Sequence, residues 1–223
     1  LNAISAQTSR EMQQAWEDFR DDDDLRVAVL TGIGEKSFST GMDLVATARG
    51  ENQFAGKPAP FGGFTKRMPI YKPIIAAMTG HLIAGGMMLS LNSDLRVGLK
   101  GTQVGITETR IAGRGSPWAI PLLWMLPQPL LMEMVLTGDL YPIDTFHQLG
   151  FINYLEDTPD AVRARAQSLA ERIRDNAPLS VMAGKESILT AMSAGCDAGM
   201  ALAQNIYRAA YAIPLLAVLW VVW

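Results

Sequence analysis

The chain has 223 residues, 49% of them hydrophobic and 18% charged, enough for one compact domain with a sizeable core. Its net charge of -3, from 22 acidic against 19 basic residues, leaves no basic footprint for nucleic acid. A single cysteine, Cys196, rules out an intrachain disulfide, and with no signal-like start the sequence points to a reducing, cytoplasmic setting.

Taken in chain order, residues 6 to 20 put Met12, Ala15, Trp16 and Phe19 at helical spacing. The acidic run Asp21 to Asp24 then ends that helix as a solvated turn, the usual fate of adjacent like charges, rather than as a metal site. RVAVLTG, Arg26 to Gly32, is a short β-branched run with a glycine stop and predicts a buried strand. The pattern returns in KPIIAAMTG, Lys72 to Gly80, and in DLRVG, Asp94 to Gly98. Each run leads into glycine and then a predicted helix, which is an α/β signature. Between them, Gly50 to Gly63 reads as a mobile loop.

From about Ser116 the periodicity is helical. Thr158 can cap and Pro159 can open a helix with Val162, Ala166, Leu169 and Ile173 on one face, and Pro178 is expected to stop it. Further helical patterns run from Leu179 to Met192 and from Asp197 to Tyr211. After Arg208 no residue is charged, but a bilayer span needs ~20 apolar residues, and Pro214 interrupts this run. No membrane span is expected; the segment is predicted to be buried against the body of the protein or another subunit.

Metal chemistry has little support, because Cys196, His81 and His147 lie far apart without zinc-site spacing. Gly32, Ile33 and Gly34 resemble a dinucleotide loop, yet Ser37 stands where the third glycine belongs. Ser116 in GRGSP lacks the second glycine of a nucleophile elbow. Two other segments place backbone amides where a strand meets a helix: SFSTGMDL, Ser37 to Leu44, and GHLIAGGMMLSLNSD, Gly80 to Asp94. The first turn of a helix has unpaired N–H groups and partial positive charge, so an amide at Gly85 can stabilise an oxyanion. For Gly86, close packing of helix on strand is an equal alternative to ligand approach.

LNAIS at Leu1 to Ser5, AVLTG followed by SFSTGMDL, KPIIAAMTG followed by the Gly85 helix, SDLRV, and MEMVLTGD together resemble the enoyl-CoA hydratase/isomerase, or crotonase, family. The resemblance covers the chain to about residue 210, and it is specific because several motifs keep their order and spacing. It implies a spiral of ββα units over 1–155, with early strands before Leu1 that this sequence does not contain, and a C-terminal helical oligomerisation region over 156–223. It further implies an acyl-CoA substrate, no cofactor beyond the coenzyme A of that substrate, no metal, and a homotrimer or hexamer.

By the same resemblance, the thioester oxygen is held by the backbone N–H groups of Met42 and Gly85, with Thr40, Asp43, Leu44, Gly86, Met88 and Trp118 around the substrate. Family hydratases commonly carry two glutamates. The first position is Met88 here, which cannot transfer a proton; the second matches Glu108 in VGITETR. One carboxylate makes proton shuttling between carbons the easiest chemistry, whereas two-carboxylate hydration divides the work. IAGRGSPW, Ile111 to Trp118, departs from the usual glycine-rich loop and brings Arg114 and Trp118 near the site. A glutamate merely ion-paired beside Arg110 is the plain structural alternative for Glu108. A scaffold that binds acyl-CoA or a partner without turnover, and a hydrolase of similar architecture, are the competing functions.

Overall fold

The computed structural model describes residues 1–51, 60–63, 69–111, 116–195, 197, 200, 201 and 203–205. The chain opens with α1 (Ala6–Asp21), whose N-cap Ser5 accepts from the Thr8 N–H. It then alternates between two sheets: β1 (Ala28–Thr31) and β2 (Ser37–Ser39) precede the short α2 (Leu44–Ala48), and β3 (Ile74–Met78) and β4 (His81–Ile83) precede α3 (Gly85–Asn92). After them come β5 (Leu95–Leu99) and β6 (Gln103–Gly105). The remainder is a 3-10 helix Pro117–Trp124, α4 (Gln128–Thr137), β7 (Leu140–Pro142), α5 (Ile143–Gln148), β8 (Tyr154–Glu156), α6 (Pro159–Arg174) and α7 (Pro178–Ala194).

The first sheet runs β1-β3-β5-β8, all parallel, and the second runs β2-β4-β6-β7, with β7 antiparallel to β6. Each turn of chain therefore lays one strand on each sheet beside the previous turn's strands. This is the expected spiral of ββα units, followed by helices. The central strand β3 is buried along its whole length, as an apolar run covered on both faces must be.

Helix α6 covers one face of the first sheet. Val162, Ala166 and Leu169, spaced at one helical face, pack on Ile75, Ala77 and Val97. Full burial of a valine or leucine stabilises by ~1.5 to 3 kcal/mol, so this stripe fixes where the helix lies. The main core gathers Trp16 and Phe19 of α1, Ile74 and Met78 of β3, Leu82, Met87, Val104, Met134, Phe146 and Phe151.

Several expectations need correction. The strand predicted at Arg26 to Gly32 is an edge strand of alternating burial, with Val29 40% exposed, because nothing among the described residues pairs with its outer side. Pro178 does not stop α6, which already ends at Arg174; it occupies the first turn of α7, where its missing N–H costs nothing. Residues beyond Ser116 are not purely helical, since β7 and β8 close the two sheets. Of the loop expected to be mobile, 52–59 lie outside the described residues, while Phe61–Gly63 form a packed 3-10 turn whose two glycines are buried. The uncharged end, 209–223, also lies outside them; within the described residues no helix is long and apolar enough to cross a membrane.

Candidate active site

Strands β2, β4 and β6 are parallel neighbours, with Ser39 beside Leu82 and Ile83 beside Gly105. Parallel strands end at the same edge, so the residues that follow each one converge there however distant they are in sequence. After β2 come Gly41 and Met42, after β4 come Ala84 and Gly85, and after β6 comes Glu108.

The Met42 amide is aimed by the start of the chain. Ile4 N–H donates to the Gly41 carbonyl at 2.8 Å, and Asp43 N–H donates to the Ile4 carbonyl at 3.0 Å. With Gly41 C=O and Asp43 N–H facing Ile4, the intervening Met42 N–H faces the opposite way, since backbone groups alternate along an extended segment. Leu1 to Ser5 is held in turn by Asn2, whose Nδ2 donates to the Ser37 carbonyl at 2.8 Å, and by Ser37 and Ser39 hydroxyls donating to the Leu1 and Asn2 carbonyls. The LNAIS and SFSTG motifs are thus two sides of one hydrogen-bonded clamp.

The Gly85 amide is aimed by strain. Ala84, the N-cap of α3, has φ 52° and ψ -121°, in the half of backbone space that alanine avoids. Such a conformation costs ~1 to 3 kcal/mol and collects at working sites. Gly41 has φ +84°, and a Cβ there would come 2.8 Å from the Gly85 nitrogen, so only glycine lets loop and helix start touch. Among the described residues, neither Met42 N–H nor Gly85 N–H donates to a protein acceptor. Two unpaired amides beside the positive end of a helix form a site that can hold a developing oxyanion.

Glu108 begins a 3-10 turn, Glu108–Ile111, and is half-buried. Its Oε1 accepts from Trp118 Nε1 at 3.1 Å, while its Oε2 is buried with no partner among the described residues. The turn is bolted to α4, with Thr109 Oγ1 donating to the Val135 carbonyl at 2.7 Å. Arg110 donates to the Thr137 carbonyl at 3.1 Å and pairs with Asp139, so the alternative of a glutamate neutralised by Arg110 is not what the structure holds. Arg114 lies outside the described residues. A carboxylate with one oxygen held and the other unsatisfied retains capacity to accept a proton.

The other expected site residues divide. Met88 is half-buried and shares a helix face with Gly85 and Asn92, the three positions of α3 that the core does not cover. Gly86 is buried and backs onto the Ser39 carbonyl, so its lack of a side chain serves helix-on-strand packing. Asp43 caps α2, accepting from the Val45 and Ala46 N–H groups at 3.0 Å each. Thr40 is tied through its N–H to the Leu1 carbonyl at 3.2 Å, and Leu44 opens α2 half exposed. His81 accepts from the Gln103 N–H at 2.9 Å and His147 meets the Ile152 carbonyl at the same distance, both structural roles.

Two residues escaped the sequence reading. Phe61 lays its ring edge where a Gly85 side chain would stand, and the adjoining Gly62 is pinned by Trp16 Nε1 donating to its carbonyl at 3.1 Å. Its only signal was an aromatic beside paired glycines. Arg96, 8% exposed, donates to the Ser90 and Ser93 carbonyls at 3.0 and 2.8 Å and to the Phe151 carbonyl at 2.6 Å, fastening the far end of α3. Burial pushes its guanidinium down to about 10, against the opposing pull of Asp94, so it stays cationic at neutral pH. An open cleft of about 470 Å³ follows the β1 edge between Val29 and Arg174 and shares no residue with this site.

Residues 1–212 match the family model for enoyl-CoA hydratase/isomerase. The chain is 34% identical over 191 residues to an (E)-benzylidenesuccinyl-CoA hydratase of Thauera aromatica, covering 84% of this chain and 73% of that protein. It is 36% identical over 189 residues to a carnitinyl-CoA dehydratase of Salmonella typhi, covering 83% and 71%. Among solved structures, an enoyl-CoA hydratase of Mycobacterium tuberculosis superposes with a TM-score of 0.82 at 35% identity, covering 92% of this chain and 79% of that one. Another, of Mycobacterium marinum, superposes with a TM-score of 0.84 at 33% identity, covering 94% and 82%.

Proposed function

This chain belongs to the enoyl-CoA hydratase/isomerase family, and we propose that it adds water reversibly across the α,β double bond of a 2-enoyl-CoA thioester. The observation that carries this reading is the pair of amides, Met42 and Gly85, that donate to no acceptor among the described residues, at the same sheet edge as a glutamate whose buried Oε2 has no partner among them. The amides hold the thioester oxygen. Their hydrogen bonds strengthen as that oxygen becomes negative, which is the differential binding that lowers a barrier.

Glu108 works as base and then as acid. Its ionised Oε2 takes a proton from water as the water oxygen bonds to the β carbon, and the displaced electron pair moves to the thioester oxygen as an enolate. The α carbon then takes the proton back from Oε2, which restores the carboxylate and completes the addition of one water. The names of the hydratase and dehydratase relatives support water chemistry. Isomerisation of a 3-enoyl-CoA is the second reading, favoured by Met88, which offers no second carboxylate.

The test is Glu108→Gln, assayed for hydration of crotonyl-CoA beside 3-enoyl-CoA isomerisation. Turnover of whichever reaction the parent performs should fall by ~100-fold or more with coenzyme A affinity nearly unchanged. Unchanged turnover would remove Glu108 from the mechanism.

A further inference from the structure

We propose that Trp118 is a positioning residue: its indole N–H captures Oε1 of Glu108 and so dedicates Oε2 to the proton transfer. The proposal rests on Glu108 being the proton carrier. It changes the role read from the sequence, where Trp118 lined the substrate pocket.

A glutamate carboxyl turns about its last torsion with a broad, two-fold preference, so a free one presents either oxygen in many orientations. Trp118 removes that freedom. Its Nε1 lies 3.1 Å from Oε1. An indole nitrogen only donates, so this bond requires Oε1 to remain an acceptor in every protonation state of the carboxyl. The carbonyl oxygen of a carboxylic acid is a better acceptor than its hydroxyl, so the bond favours the proton on Oε2, the oxygen that is buried and has no protein partner among the described residues. Among the described residues this buried oxygen has no partner, an arrangement that is costly and from which a glutamate kept for structure alone would gain nothing.

Trp118 is itself well held. It lies in the first turn of the 3-10 helix Pro117–Trp124, between Pro117 and the buried Ala119, whose N–H donates to the Ser116 carbonyl at 2.9 Å. Its ring packs against the main core. The two ends of the pairing are anchored separately, Glu108 through the turn bolted to α4 and Trp118 through the core, so the hydrogen bond joins two fixed supports. With Met88 at the other carboxylate position, a single oxygen must both receive and return the proton, and its placement governs both steps.

Trp118→Phe keeps an aromatic ring and deletes the donor. Trp118→His also loses ring volume, but its imidazole Nε2 takes the place of the indole Nε1 in the five-membered ring. The expected result is a fall in kcat of ~10 to 100-fold for the phenylalanine variant with KM within about twofold, the size of effect that misplaced groups produce. The histidine variant should recover to within roughly threefold of the parent. Equal losses in both, an effect confined to KM, or a phenylalanine variant with parental kcat would overturn the proposal. Glu108→Gln, measured in parallel, separates the two claims: if it abolishes turnover while Trp118→Phe does not, only the Trp118 proposal fails, and if it leaves turnover intact, the reading beneath it fails. A measurement that leaves Trp118 in place guards against misfolded variants. Of the five indole N–H signals in a proton–nitrogen spectrum, one should move upfield in Glu108→Gln as its acceptor loses charge; if none moves, the proposal falls.

Discussion

Gly41→Ala probes the backbone site with the least disturbance to side chains. Two costs can be separated. Gly41 has φ +84°, where an L side chain is strained by ~1 to 2 kcal/mol. Its new methyl would also stand 2.8 Å from the Gly85 nitrogen, closer than real Cβ contacts come, so the loop and the start of α3 must move apart. The displaced group is an amide of the proposed oxyanion site, and loss of one such donor lowers kcat by ~100 to 1000-fold. Gly34→Ala supplies the control. Its φ is +78°, but a Cβ there meets nothing within 4 Å, so it carries the backbone strain without the collision. Gly34→Ala should lose ~2 to 8 °C in Tm, the equivalent of that strain for a chain of this size, and Gly41→Ala should lose more because it adds the collision. Only Gly41→Ala should lose hydration of crotonyl-CoA, followed by disappearance of the conjugated enoyl absorbance. A folded Gly41→Ala enzyme as active as Gly34→Ala would refute the assignment of the Gly41, Met42 and Gly85 backbone to the reaction.

Met88→Glu places a carboxylate on the α3 face shared with Gly85 and should raise hydration by ~10 to 100-fold, provided burial does not keep the new group neutral. With folding confirmed by circular dichroism, unchanged hydration and isomerisation rates would mean that Met88 does not face the reacting carbons. Asp94→Ala addresses stability away from the site: Asp94 Oδ2 accepts from Lys185 Nζ at 2.6 Å and from the Ile74 N–H at 2.8 Å, joining α7 to β3. Its removal leaves the Ile74 amide without this acceptor and the Lys185 ammonium with the Lys72 carbonyl, 3.0 Å away, in place of a charged partner, and urea titration should record a loss of ~2 to 3 kcal/mol with turnover of the folded enzyme retained. A loss under about 1 kcal/mol would show that solvent already screens this link.

By itself the sequence determined what depends on neighbours a few residues apart. Thr158 and Pro159 mark the start of α6, and the spacing of Val162, Ala166 and Leu169 marks its buried face; the unbroken apolar run Ile74–Met78 marks a central strand. The glycines at 41 and 85 and the glutamate at 108 were legible through the resemblance, because their motifs keep order and spacing. Tertiary structure alone decided the rest. Strands β2, β4 and β6 have three residues each, too few to display a period, and they exist because each pairs with the next across more than twenty residues of chain. Whether β1 is buried depends on what lies beside it, and whether Pro178 ends one helix or begins another depends on where α6 ends, which is Arg174. The same holds for the site. The resemblance named Glu108 as the expected proton carrier, but the donor that holds one of its oxygens comes from a 3-10 helix folded back over it, and the ring against Gly85 comes from a loop with no periodic signal. Local pattern encodes which faces are apolar; only closure of the two sheets brings the ends of three strands to one edge and makes them a site.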